Sequence, residues 1–114
     1  MRILLVDDEQ SILQLLGRYL TKAGHVVIDA DSYRSAMSLL EPGLGHLDAA
    51  VIDLALPDGS GEDIARALLA LDPTVLTIIA TGYAYEPPAE LLGRLKVLQK
   101  PYVPSALVAL LNSY

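Results

Sequence analysis

Ile3-Leu4-Leu5-Val6-Asp7-Asp8-Glu9 decides the fold class, because a run that is apolar at every position stops abruptly on acids. A strand with one wet face alternates polar and apolar residues. A run without alternation suits a strand buried on both faces, as in a parallel sheet covered by helices. The pattern recurs at His25-Val26-Val27-Ile28, at Ala49-Ala50-Val51-Ile52, from Val75 to Ala80, and briefly at Val97-Leu98. Segments with helical spacing lie between these runs. Ile12, Leu16, Tyr19 and Leu20 form one stripe, with Gly24 as the stop. Ala36, Leu39 and Leu40 form a second, with Ser32 as candidate N-cap and Pro42, Gly43 and Gly45 marking the loop after it. Ile64, Ala67, Leu68 and Leu71 form a third, ended at Asp72-Pro73. Leu107, Leu110 and Leu111 form the last, opened by Pro104-Ser105. Pro87-Pro88 restricts the segment after the fourth strand to a short or irregular helix over Ala89 to Leu92.

Strand and helix alternate, which predicts an α/β fold with a parallel sheet, right-handed crossovers and helices on both faces. Periodicity does not set strand order. The flavodoxin-like order 2-1-3-4-5 is compatible with the pattern and is taken over from known doubly wound folds. The 114 residues make one domain, and 53% hydrophobic against 19% charged residues supports a packed core. Eight basic and 14 acidic residues give a net charge of −6, which disfavours direct contact with nucleic acid. The absence of Cys excludes disulfides, thiolate catalysis and cysteine zinc sites. No apolar run reaches the roughly 18 residues of a membrane span, and Met1 to Val6 is too short for a signal peptide. The expected setting is therefore cytoplasmic, without a membrane partner.

Polar residues stand where the apolar runs stop: Asp7 and Asp8 after the first, Asp53 after the third, Thr81 after the fourth, Lys100 after the fifth. In a parallel sheet these ends share one edge, so the groups should converge on one crevice. Crowded carboxylates raise one another's pKa, and a divalent cation relieves them. A donor set of oxygens suits Mg²⁺ or Mn²⁺ rather than Zn²⁺. Lys100 adds a cation for a phosphoryl group and Thr81 a neutral hydroxyl. Together they describe phosphoryl transfer, in which a carboxylate can be the nucleophile and form an acyl phosphate.

Val6-Asp7-Asp8-Glu9, Asp53-Leu54-Ala55-Leu56-Pro57 with Gly61, Ala80-Thr81-Gly82 and Lys100-Pro101, in that order, resemble the receiver domain of two-component response regulators. The resemblance covers essentially the whole chain. It implies Asp53 as phosphoacceptor and Asp8 as direct metal ligand. Asp7 is implied as the acid acting through water, and the backbone carbonyl of Ala55 as the third protein ligand of Mg²⁺. It implies Thr81 and Lys100 as the phosphate-sensing hydroxyl and ammonium. Gly82 is implied as a small residue that keeps the approach open, and Lys100-Pro101 as a cis peptide. A histidine kinase or phosphotransfer protein would be the donor, and an unidentified protein the downstream target. Residues 1–114 would form the receiver alone, without an output domain, either free-standing or cut from a hybrid kinase. The domain would be a signalling switch rather than an enzyme, although it catalyses its own phosphorylation and dephosphorylation.

Receivers usually carry an aromatic residue three positions before the lysine, and here Val97 stands there. Ile79-Ala80-Thr81-Gly82-Tyr83, Val97-Leu98-Gln99-Lys100-Pro101 and the shortened fourth helix look like the FAT GUY subgroup of receivers. Tyr83 is the candidate replacement for the switch aromatic. Simpler roles coexist with these. Asp7-Asp8 can cap the first helix, Thr81 can cap a turn, and Asp58 with Glu62-Asp63 can serve the first turn of the third helix. His25 and His46 match no motif and read as structural or surface residues. Tyr19, Tyr33, Tyr102 and Tyr114 read as packing residues, and Tyr85 stays open.

An adaptor of the same fold that ignores phosphate is disfavoured by the intact acids, Thr81 and Lys100. A flavin carrier would need a Ser/Thr-rich loop after the first strand, and an Asp-x-Asp phosphatase a second acid where Ala55 stands.

Overall fold

The computed structural model describes residues 1–41 and 44–113. The loop punctuation at Pro42 and Gly43, and the packing role of Tyr114, lie outside the described residues. The elements are β1 (Arg2–Val6), α1 (Gln10–Lys22), β2 (Val26–Ala30), α2 (Tyr33–Leu39), β3 (Ala49–Asp53), β4 (Ala55–Leu56), β5 (Gly59–Ser60), α3 (Gly61–Leu71), β6 (Leu76–Thr81), β7 (Lys96–Gln99) and α4 (Pro104–Asn112). Five strands form a parallel sheet in the order β2-β1-β3-β6-β7. Counting only those five, this is the order 2-1-3-4-5 expected above.

Alternation along the strands sorts the side chains onto two faces. Ile3 and Leu5 of β1, Val51 of β3 and Ile78 of β6 pack with Leu13, Leu16 and Leu20 of α1 and Leu107 and Leu111 of α4. Leu4, Val6, Ile52 and Ile79 face the other way, against Ala36 of α2 and Ile64, Ala65 and Leu68 of α3. Each fully buried leucine contributes roughly 2 kcal/mol of apolar burial. The central strands β3 and β6 are buried at every position, whereas the edge strands β2 and β7 are only partly covered.

α1 ends as Gly24 suggests. Gly24 has φ +94° and donates its N–H to Thr21, while the His25 N–H reaches Leu20, which closes a Schellman motif. Ser32 caps α2 through a reciprocal bond pair with Ser35.

Four expectations need correction. Leu13, not Tyr19, completes the buried stripe of α1, and Tyr19 is exposed. Leu71, on the expected α3 stripe, is 65% exposed, and Leu69 is buried instead. No helix forms in the segment between β6 and β7. It carries turns over residues 89–94, because two successive prolines supply no N–H donors there. Pro57-Asp58 is the tip of an antiparallel hairpin, β4–β5, with no apolar alternation to announce it. Asp58 consequently caps α2, not α3: its carboxylate accepts from the backbone N–H groups of Tyr33 (2.8 Å) and Arg34 (3.0 Å). These bonds hold its pKa below the ordinary carboxylate value. Glu62 and Asp63 do occupy the first turn of α3.

Candidate functional site

Parallel pairing places the C-terminal ends of β1, β3, β6 and β7 on one edge. Asp7 follows β1, Asp53 ends β3, Thr81 ends β6 and Lys100 follows β7. One carboxylate oxygen from each of Asp7, Asp8 and Asp53 lies within 4.8 Å of the others. Asp7 and Asp53 are buried and Asp8 is exposed. The Lys100 Nζ, reaching in from β7, donates to Asp7 Oδ2 (2.9 Å) and Asp53 Oδ2 (3.3 Å). The Lys100–Pro101 peptide bond is cis.

Backbone bonds fix the frame of these side chains. The Asp7 N–H donates to Ala30, Leu54 to Ala80, and Lys100 to Thr81 (2.7 Å). Asp7 Oδ1 accepts from the Glu9 N–H (2.9 Å), so the acid also steadies the entry to α1. The approach of α3 to β3 depends on a missing side chain. A Cβ on Gly61 would stand 2.2 Å from the carbonyl oxygen of Asp53, and the Gly61 N–H donates to Leu54 (2.8 Å). Gly61 entered the sequence reading only as part of a motif; its role in seating Asp53 needed the backbone.

The charges do not balance locally. Burial raises the Asp53 pKa, Asp7 raises it further, and the attraction of Lys100 does not fully offset them. For Lys100, burial opposes the charge, but the hydrogen bonds and charges of Asp7 and Asp53 outweigh it and raise its pKa. Three carboxylates against one ammonium leave an oxygen-only site with excess negative charge, which fits Mg²⁺ or Mn²⁺. Two results should follow. Asp53→Asn should stabilise the metal-free chain at pH 7, because burial and the neighbouring Asp7 disfavour an ionised Asp53 in the fold. Mg²⁺ at ten times its dissociation constant should add about 1.4 kcal/mol to the wild type and much less to that variant. Thermal midpoints with and without Mg²⁺ check both, and a midpoint below wild type in metal-free Asp53→Asn counts against the first.

Thr81 is buried, and its hydroxyl accepts from the Tyr83 N–H (3.1 Å), so it caps the turn that begins the β6–β7 segment. Tyr83 itself is 75% exposed, and Val97, opposite Ile79 in the β6–β7 register, is exposed as well. A Cβ on Gly82 would meet nothing within 4 Å. Tyr102 packs under the site against the α1–α4 core, and burial pushes its phenol up to about 12. His25 and His46 lie at the opposite edge. His25 meets the N-terminal amine, and His46 sits between Asp48 and Asp72. The sequence reading missed one polar group, formed by Glu62, Arg66, Tyr85 and Glu90. Only the Glu62-Arg66 spacing of four on a helix hinted at it.

The chain belongs to the response regulator receiver domain family, whose model matches residues 3–112. It is a signalling module of two-component systems. The response regulator receiver protein CpdR of Brucella abortus is 31% identical over 104 residues, which are 89% of this chain and 85% of that one. A cyclic di-GMP phosphodiesterase of Thermotoga maritima is 30% identical over 83 residues, 73% of this chain but 22% of that protein. The chain thus spans only a part of some relatives. Among solved structures, a CheY-like receiver domain protein from Methanospirillum hungatei superposes with a TM-score of 0.86 at 28% identity, covering 98% of this chain and 90% of that one. No helix among the described residues is long and apolar enough to cross a membrane.

Proposed function

We propose that Asp53 is the phosphoacceptor of this receiver. The observation that carries the reading is the Lys100 ammonium seated on both Asp7 and Asp53 at the rim of the sheet. A carboxylate oxygen of Asp53 attacks the phosphorus of a phosphohistidine on a histidine kinase or phosphotransfer protein. The O–P bond forms as the N–P bond breaks, and the imidazole nitrogen leaves with the electron pair. Asp7, Asp8, Asp53 and the backbone carbonyl of Ala55 would hold Mg²⁺ or Mn²⁺. The ion supplies charge neutralisation for the phosphoryl oxygens. Lys100 offers its point charge to the same oxygens, Thr81 its hydroxyl, and Gly82 leaves the approach open.

Once attached, the phosphoryl group brings roughly −1.5 to −2 charges and new acceptor oxygens. These draw on Thr81 and Lys100 and bias the β6–β7 segment, the readout being a protein contact or a phosphorelay. The module works in the cytoplasm, residues 1–114 act as one receiver unit, and its own residues catalyse both phosphorylation and hydrolysis. The family match over residues 3–112 and the one five-stranded sheet support the single-unit part of that reading.

Intact mass after acetyl phosphate and Mg²⁺ tests the assignment. The wild type should gain about 80 Da, the mass of one phosphoryl group, and Asp53→Ala should gain nothing. A gain in the variant overturns the assignment. We also propose, from its place beside Thr81 and the lack of an aromatic at Val97, that Tyr83 serves as switch aromatic in the manner of the FAT GUY receivers. Tyr83→Ala should then keep the mass gain and lose most of the amide shifts that beryllofluoride induces in wild-type NMR spectra. Shifts of wild-type extent would refute that role.

A further inference from the structure

The segment 82–95 between β6 and β7 has little backbone structure to hold it. Among the described residues its turns rest on the N–H groups of Leu91, Leu92 and Arg94, which donate to Pro88, Ala89 and Leu91. Leu91 is its buried anchor, and Tyr85 and Leu95 lean on the α2–α3 core. The remaining attachment is polar and converges on one guanidinium. Arg66 Nε (3.0 Å) and Nη2 (2.7 Å) both donate to Glu90 Oε1, across from α3 to the segment. Nη2 also reaches Glu62 Oε1 (2.8 Å), and Nη1 reaches Asp63 Oδ1 (2.9 Å). The second oxygen of Glu62 accepts from the Tyr85 hydroxyl at 2.7 Å. One cation therefore ties three carboxylates together, and one of those carboxylates ties down a second residue of the segment. The hydrogen bonds to Glu90 and Glu62 raise the Arg66 pKa, and the bond from Arg66 lowers that of Glu90.

A lone exposed ion pair holds little. This one is a network joined to a half-buried phenol, in a segment with few other bonds, so it controls local opening. Its position matters as much as its strength. Gly61, one residue before Glu62, touches the backbone of Asp53. At the other end the segment starts at Thr81, whose hydroxyl is committed to the Tyr83 N–H. Turning the proton of that hydroxyl toward a group on Asp53 would take it from the Tyr83 carbonyl (3.4 Å) and loosen the head of the segment.

We infer that Arg66 is a positioning residue: its guanidinium latches the segment 82–95 onto α3 and sets how costly it is for Thr81 to be released toward Asp53. The second half rests on the reading of Asp53 as acceptor. Hydrogen exchange on the full chain tests the latch without phosphate. In Arg66→Met, which keeps the aliphatic stem, the amides of Leu91, Leu92 and Arg94 should exchange about tenfold faster while those of β3 and β6 stay unchanged. Arg66→Lys should recover part of the protection. Raising NaCl to 1 M should speed the same amides in wild type, because screening then acts within about 3 Å, and leave Arg66→Met unmoved. Unchanged protection in Arg66→Met, equal acceleration in β3 and β6, or indifference of the wild type to salt overturns the latch. Titration with beryllofluoride and Mg²⁺, followed by fluorine NMR, tests the coupling. Arg66→Met should bind several-fold more tightly than wild type, and equal affinity overturns the coupling. Binding by neither protein overturns the acceptor reading and the coupling with it, whereas the exchange data decide the latch independently.

Discussion

Gly61→Ala should lower stability by about 3 kcal/mol and the thermal midpoint by roughly 12 °C, an overpacking cost at the upper end of its usual range. The added Cβ would lie 2.2 Å from the Asp53 carbonyl oxygen, 2.9 Å from its carbonyl carbon and 3.0 Å from a methyl of Ile52. Two of these neighbours are backbone atoms of a strand buried at every position, so no flexible tip can swing away. Either α3 or the end of β3 must move. Movement of β3 displaces Asp53, so phosphorylation by acetyl phosphate should slow by at least tenfold as well. Gly82→Ala is the matched control: open space surrounds that position, and its midpoint should stay within about 2 °C of wild type. Calorimetry of both variants decides the matter, and a Gly61→Ala midpoint as high as that of Gly82→Ala refutes the close-approach argument.

Lys100→Met should cost about 2–3 kcal/mol at pH 7, because it leaves two buried carboxylates facing each other without their cation. The pH dependence follows from the direction of each shift. Lys100 has a folded pKa raised above its ordinary 10.5. Its contribution is therefore complete below that ordinary value and fades only as pH rises through the higher folded one. Asp53 already sits above its ordinary 3.8, and loss of the ammonium drives it higher. Protonating it relieves the repulsion, so the deficit of Lys100→Met relative to wild type should shrink as pH falls from 7 toward 4. Added Mg²⁺ should close part of the gap at pH 7, since a cation in the acid cluster takes over the neutralising role. Urea melts at pH 4, 7 and 7 with Mg²⁺ check all three statements. A deficit that is constant across them would mean that the lysine acts through packing of its stem.

Most of the site was legible because a parallel sheet converts chain order into spatial order. Asp7, Asp53 and Thr81 each stand at the end of an apolar run, and so does Lys100. Strands that run the same way bring such ends to one edge whatever the details of the loops. The segment 82–95 was legible only in the negative sense that Pro87-Pro88 would not allow a long helix. The hairpin β4–β5 gave no signal, since two residues per strand carry no period. Asp58 was assigned to the nearer helix along the chain, and the hairpin turned it toward α2 instead. Tyr19 and Leu71 fitted a helical stripe but are exposed, while Leu13 and Leu69 are buried on the same helices.

The amino-acid order by itself determined that this protein is a doubly wound α/β domain with an acidic crevice at one sheet edge. Runs apolar on both faces have few ways to leave water, and acids that interrupt them are forced to the rim. The tertiary structure alone decided the rest. It put Lys100 on Asp7, which lies 93 positions away in the chain, and it let α3 press a glycine against the end of β3. It also gathered Glu62, Asp63, Tyr85 and Glu90 around Arg66 or its partner carboxylate. Such contacts depend on side-chain reach and backbone approach of a few ångströms between distant segments, and hydrophobic periodicity carries no information on that scale.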